Sequence, residues 1–194
     1  MTYRIEQLFP TPLYSSHVNN FEVIKNKIDG CIEKIDFQYR EQWGRTHLLT
    51  DPTFTEDILT KYGLNVVKKE IDYHLKQYCK ELRFPLRKYD MSSWFIMMRE
   101  GNYAHIHDHC PTDISGVLYY KTNSDDGDIH FHTPHPFFKM SKCFNNQSWR
   151  HRPEEGKILL FPGWLQHGVE TNTTDNVRIS LSFNIQFKEG VMGN

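Results

Sequence analysis

Residues 178–187 read RISLSFNIQF, and this run constrains the fold more than any other part of the chain. Ile179, Leu181, Phe183, Ile185 and Phe187 alternate with Arg178, Ser180, Ser182, Asn184 and Gln186. Successive side chains of a strand point to opposite faces, so period two sorts the two sets onto opposite sides of one sheet. The apolar set needs a cover, either N-terminal helices or a second sheet. The polar set faces solvent or a polar lumen. In a lumen the arginine would demand an anion, because a buried guanidinium without a partner is costly.

Short β-type runs with turn punctuation fill the chain from Met91 onward. The candidates are 93–98, 105–109, 114–121, 128–132, 137–144, 157–161, 167–171 and 177–187, with turns at 101–102, 125–127, 153–156 and 172–176. About eight short strands at this spacing imply a jelly roll or double-stranded β-helix barrel. The first half carries helical spacing instead. Phe21, Ile24, Ile28 and Ile32 form one stripe, with Asn19 or Asn20 as its cap, and Leu64, Val67, Ile71, Leu75, Tyr78 and Leu82 form another. The WGRTHLLTDP stretch between them reads as a loop. The expectation is a mostly β chain with N-terminal helices (α+β). Residues 1–194 form a single domain, with 1–90 as a helical support region and 91–190 as the jelly-roll core.

Composition excludes several partners. Lys and Arg total 23 against 24 Asp and Glu, a net charge of −1, so neither a polyanion nor a charged membrane surface is favoured and nucleic acid is not suggested. Cysteines 31, 79, 110 and 143 form no CxxC pair and read as buried free thiols, not as a disulfide framework or zinc ribbon. No run approaches the ~20 apolar residues of a membrane span, and MTYRIEQLFPTP lacks a signal-peptide core. A cytoplasmic protein is expected.

Chemistry concentrates in two places. The first is His105-Ile106-His107-Asp108-His109, and the second is His167 in LFPGWLQHGV, followed eleven residues later by Arg178 and then Ser180. Imidazoles at i and i+2 of a strand point the same way and can share one ion, and a jelly roll can lay the late strand of His167 beside the early one. His107 and His109 lie nearest the strand exit, where a barrel mouth would open. The Arg178 guanidinium can grip a carboxylate through two parallel hydrogen bonds, with Ser180 adding a third; the alternative is a pairing with Asp175 or Glu170 at the strand start. His130, His132 and His135 form a second cluster, read as pocket lining or surface. His151 reads as exposed loop, and Tyr103, Tyr119 and Trp164 are candidate pocket aromatics.

With these residues in view, the chain resembles a family of small 2-oxoglutarate/Fe(II) oxygenases from bacteria and phages, within the superfamily that includes prolyl hydroxylases. The matching pieces are LFPTPLY at 8–14, SWFIMMREGNYAHIHDH at 93–109, DISGVLYY at 113–120, GKILLFPGWLQHGVE at 156–170 and RISLSFNIQF at 178–187. The resemblance implies a double-stranded β-helix, one Fe(II), 2-oxoglutarate as cosubstrate and O2. It implies that His107, His109 and His167 hold the metal and that Arg178 with Ser180 holds the distal carboxylate. No further catalytic residue is implied. The implied reaction is hydroxylation of an unidentified small molecule or protein side chain, with release of succinate and CO2, in the host cytoplasm if the chain is phage-encoded. A homodimer is compatible with the sequence.

The chain departs from the superfamily in one respect. A carboxylate usually follows the first ligand by two residues. Here that position is His109, Asp108 has the other strand parity, and Asp113 lies six past His107. The site is then built from three histidines, or an irregular backbone turns Asp108 inward. The missing carboxylate also admits a cupin-like three-His metalloenzyme that does not use 2-oxoglutarate. A jelly-roll module without catalysis is the third alternative.

Overall fold

Helical and strand periodicities become elements close to the expected positions. The computed structural model describes residues 4, 10–41, 44–50, 57–135 and 148–188. In chain order they form β1 (Tyr14–His17), α1 (Phe21–Ile32), β2 (Gln38–Tyr39), β3 (Leu48–Leu49), α2 (Ile58–Lys61), α3 (Asn65–Glu81) and β4 (Tyr89–Met98). Then follow β5 (Ala104–His107), β6 (Ile114–Lys121), β7 (Ile129–His132), β8 (Ser148–His151), β9 (Lys157–Pro162), β10 (His167–Val169) and β11 (Arg178–Phe187).

The helices bury the stripes that define them. Ile24 and Ile28 of α1 and Val67, Ile71, Leu75 and Tyr78 of α3 are buried, whereas Leu82 lies beyond the last helical residue and is exposed. Asn20 occupies the N-cap of α1 but makes no side-chain capping bond. Asn19 does not cap either; its side-chain amide and backbone N–H both donate to Glu70 Oε2 of α3, at 3.0 and 3.2 Å, and tie the two helices together.

Two antiparallel sheets carry the rest. The large one has the order β1-β9-β6-β11-β4-β3-β2 and the small one β5-β10-β7-β8, giving the double-stranded β-helix. The large sheet is the middle layer. Leu118, Ile158, Leu160, Leu181, Phe183 and Ile185 face the helices. Their strand neighbours Val117, Tyr119, Leu159 and Phe161 face the small sheet, where Ile129 and Phe131 meet them. Burial on both faces explains why β6 and β9 read as continuous apolar runs. On β11 the alternation resolves as the lumen reading required. The apolar set packs on the helices, and Arg178, Ser180, Ser182 and Asn184 line the space between the sheets.

Five expectations are corrected. β4 begins four residues before the expected 93, because it pairs with the whole of β11 from Tyr89↔Phe187 to Met98↔Arg178. β5 ends at His107, and its register against β10 is interrupted: Ala104 pairs with Val169 and His107 with His167, so 105–106 face a single residue. This bulge turns both His105 and Ile106 outward and breaks the parity that placed His105 with its neighbours. The supposed loop before residue 50 contributes β3, whose Leu48 and Leu49 pair with Met97 and Ile96. His151 ends β8 and is half-buried, its ring 6.1 Å from that of Phe131. Cys31 and Cys79 are buried as expected, but Cys110 is exposed. The expected strand 137–144 and Cys143 lie outside the described residues.

Candidate metal and carboxylate site

Register across the small sheet delivers two histidines to one place. His107 of β5 is paired directly with His167 of β10, so their side chains emerge on the same face. His109 follows the end of β5, where its backbone N–H donates to the carbonyl of Gly163 at 2.8 Å and returns the third ring to the group. That approach needs glycine, since a Cβ at position 163 would stand 2.1 Å from the Thr112 carbonyl oxygen. Ligand atoms of His107, His109 and His167 all lie within 4.8 Å of one another. Their ring centroids are 4.5 to 5.2 Å apart.

The three rings are in the protonation state a cation requires. Burial, reinforced by the neighbouring His107, holds His109 down at about 4 and His167 well below its ordinary range. Burial also lowers His107. Nδ1 of His107 donates to the His105 carbonyl at 2.7 Å, and Nδ1 of His167 to the Leu165 carbonyl at 2.8 Å. A carbonyl can only accept, so in both rings Nδ1 bears the proton and the lone pair sits on Nε2. This outer hydrogen bond is the one that orients metal-binding histidines. Asp108 is exposed, and its carboxylate accepts from the Cys110 N–H at 3.2 Å. It therefore caps a local turn and does not join the group, which leaves three neutral nitrogen donors.

Across the lumen, on the large sheet, lies the second half of the site. Arg178 is 2% exposed and Ser180 3%. Arg178 Nη1 donates to the Gly127 carbonyl at 2.6 Å, and its guanidinium stacks 5.1 Å over the ring of Tyr119. Gly127 has φ +103° and its missing Cβ would fall 2.4 Å from the Glu170 carbonyl oxygen, so only glycine turns the chain here and offers that oxygen to Arg178. Glu170 pairs with Arg150 instead of Arg178. Nε of Arg178 and the hydroxyl of Tyr119 are both buried without a hydrogen-bond partner among the described residues. A buried charged donor and a buried hydroxyl left open side by side describe a cradle for an anion.

The remaining candidates separate cleanly. His130 and His132 alternate with the core residues Ile129 and Phe131 and bond each other at 2.9 Å on the far face of β7, so they are not lumen lining. His135 is exposed. Trp164 is exposed at the surface, while Tyr119 lies under Arg178. The sequence reading missed His47, a lumen residue 4% exposed, whose Nδ1 lies 3.2 Å from the Tyr103 carbonyl and which burial holds at about 4. Nothing in a two-residue strand after an apparent loop announced it.

Three clustered imidazoles facing a buried arginine inside a double-stranded β-helix fit a class, the non-haem iron oxygenases that use a keto acid. Residues 92–184, which contain the three histidines, Arg178 and Ser180, match a family model described as "Putative 2OG-Fe(II) oxygenase". Through that segment the chain is an enzyme of the 2-oxoglutarate- and Fe(II)-dependent oxygenases, with iron and 2-oxoglutarate as its cofactors, and the non-catalytic alternative falls away. A search of the curated proteins found no significant match. Among solved structures the chain is similar to HygX from Streptomyces hygroscopicus with nickel and 2-oxoglutarate bound, at 10% identity and TM-score 0.65, covering 92% of this chain and 84% of that one. It is also similar to a Pseudomonas putida prolyl-4-hydroxylase, at 14% identity and TM-score 0.62, covering 91% and 93%. An oxidoreductase of the 2OG-Fe(II) oxygenase family from Burkholderia pseudomallei matches at 12% identity and TM-score 0.61, covering 84% and 77%. At these identities the structural likeness concerns the fold.

Proposed function

We propose that His107, His109 and His167 hold the Fe(II), and that Arg178, with Ser180 and the Tyr119 hydroxyl, holds the distal carboxylate of 2-oxoglutarate. The observation that carries this reading is the pairing of three neutral imidazoles, within 4.8 Å of each other, with a buried Arg178 whose Nε has no partner. HygX, bound to nickel and 2-oxoglutarate in the same fold, supports it. Iron and the keto acid together supply the oxidising step, in which O2 and 2-oxoglutarate become succinate and CO2 and a substrate C–H bond is hydroxylated.

The chain's own residues supply placement and electrostatics. The Leu165 and His105 carbonyls hold two of the imidazoles in the tautomer that offers Nε2. Arg178, fixed from one side by Gly127 and from below by Tyr119, presents its remaining donors to a carboxylate. Trp94, Met98, Val117 and Phe161 wall the lumen with apolar surface, which strengthens every charge interaction inside it. Residues 1–90 act as the support region and 91–190 as the core of one domain, whose substrate is a small molecule or a protein side chain. No helix among the described residues is long and apolar enough to cross a membrane, and a cytoplasmic location accords with the scattered cysteines.

A three-histidine enzyme that ignores 2-oxoglutarate is the second reading, favoured by the outward Asp108. Succinate release separates the two. Wild-type protein with Fe(II), ascorbate, O2 and 2-oxoglutarate should form succinate, slowly even without substrate, and His167→Ala should bind no metal and form none. Metal bound at one equivalent with no affinity for 2-oxoglutarate would select the second reading.

A further inference from the structure

The third histidine differs from the other two, because no backbone carbonyl among the described residues holds its Nδ1. The group beside it is Asn184 of β11, whose amide nitrogen lies 3.5 Å from His109 Nδ1. The amide oxygen of Asn184 accepts from Ser115 Oγ at 2.8 Å. Ser115 and Asn184 are directly paired residues of β6 and β11, Ser115 is 2% exposed, and both line the lumen. A buried serine and a half-buried asparagine therefore meet at the one ligand that stands where the superfamily has a carboxylate.

We propose that Asn184 and Ser115 are positioning residues for His109, setting its tautomer and orientation for metal binding. The inference rests on the reading of the three histidines as ligands. An imidazole that lends Nε2 to a cation keeps a proton on Nδ1, and that proton must be accepted. Asn184 can present either end of its amide, and facing an Nδ1–H it presents Oδ1. Its NH2 then turns to Ser115, whose hydroxyl accepts as readily as it donates. A serine is suited to this place because it satisfies the amide in either orientation. A residue that only donates or only accepts would fix the amide in one orientation. The pair supplies to His109 what the Leu165 and His105 carbonyls supply to His167 and His107.

Titration of metal-free protein with Co(II), followed by its visible absorption, tests this without turnover. Asn184→Leu should weaken Co(II) binding about 10- to 100-fold, the usual cost of losing such an outer hydrogen bond. Asn184→Asp, an obligate acceptor, should bind at least as tightly as wild type, and Ser115→Ala should lose less than Asn184→Leu. Metal-free melting curves identify a variant that fails to fold, in which case the long-range 1H–15N spectrum of Zn(II)-loaded wild type decides alone. That spectrum should show His109 protonated on Nδ1. Leu and Asp variants binding alike, or His109 protonated on Nε2, would overturn the inference. Wild type that binds no Co(II) would instead overturn the metal reading on which it stands.

Discussion

Truncating Arg178 to alanine should separate cosubstrate affinity from stability. One of its nitrogens is committed to Gly127, and Nε is unsatisfied. A carboxylate gripped by the open edge gains two charge-assisted hydrogen bonds, roughly 1.5–3 kcal/mol each. Ser180 and Tyr119 remain in the variant and retain part of that, so the loss should fall near the lower end, about 3–4 kcal/mol. This corresponds to a 2-oxoglutarate Kd roughly 10²- to 10³-fold weaker. Stability moves little, because opposing terms nearly cancel. The variant loses a bond to Gly127 and the stacking on Tyr119, but it also removes a buried charge with an unsatisfied donor. Calorimetric titration of 2-oxoglutarate into Ni(II)-loaded protein reads the first quantity, and urea unfolding without ligand reads the second. A Kd within threefold of wild type would refute Arg178 as the anchor. A matching collapse of the fold would show that the guanidinium is structural.

Two other perturbations follow from the same geometry. Gly127→Ala forces a Cβ against the Glu170 carbonyl at a positive φ, so it should displace the oxygen that holds Arg178; Co(II) titration should be unchanged while 2-oxoglutarate affinity falls at least tenfold (about 1.4 kcal/mol). His47 titrates at about 4 in the folded chain against 6.5 ordinarily, so the unfolded chain protonates first on acidification. Its stabilising contribution, roughly 3 kcal/mol, is complete above pH ~6.5 and lost as pH falls towards 4. Urea melts of metal-free protein at pH 7 and pH 4.5 should show a smaller difference in His47→Gln than in wild type, and equal differences would remove His47 from this account.

What was legible in the sequence follows from which forces leave a periodic trace. β11 was readable in full because its two faces meet different media, helices on one side and a polar lumen on the other. β6 and β9 were readable as apolar runs because both faces are buried. His107 and His167 could be named because parity and a Gly/Pro-framed turn point them inward. The exclusion of His105 was not readable, since a bulge is a two-against-one count between strands and leaves no mark in AHIHDH itself. Asp108, which the sequence left open between solvent and lumen, is turned outward by the local turn in which its carboxylate accepts from the Cys110 N–H. His47 escaped notice because it stands just before β3, which at two residues is too short for any alternation and is held by pairing with β2 and β4. Asn184 was visible as a polar strand residue, but its contact with His109 depends on a turn whose path is set by Gly163.

The histidines sit on or beside the small sheet, whereas Arg178 and Ser180 belong to the large one. A short diacid clasped at both ends therefore acts as a removable rivet through the two walls of the sandwich. Metal alone grips one wall and should raise the melting temperature modestly, whereas metal and keto acid together should raise it by more than their separate effects combined. On the proposed site, release of succinate withdraws that rivet and leaves the two walls joined by their packing alone.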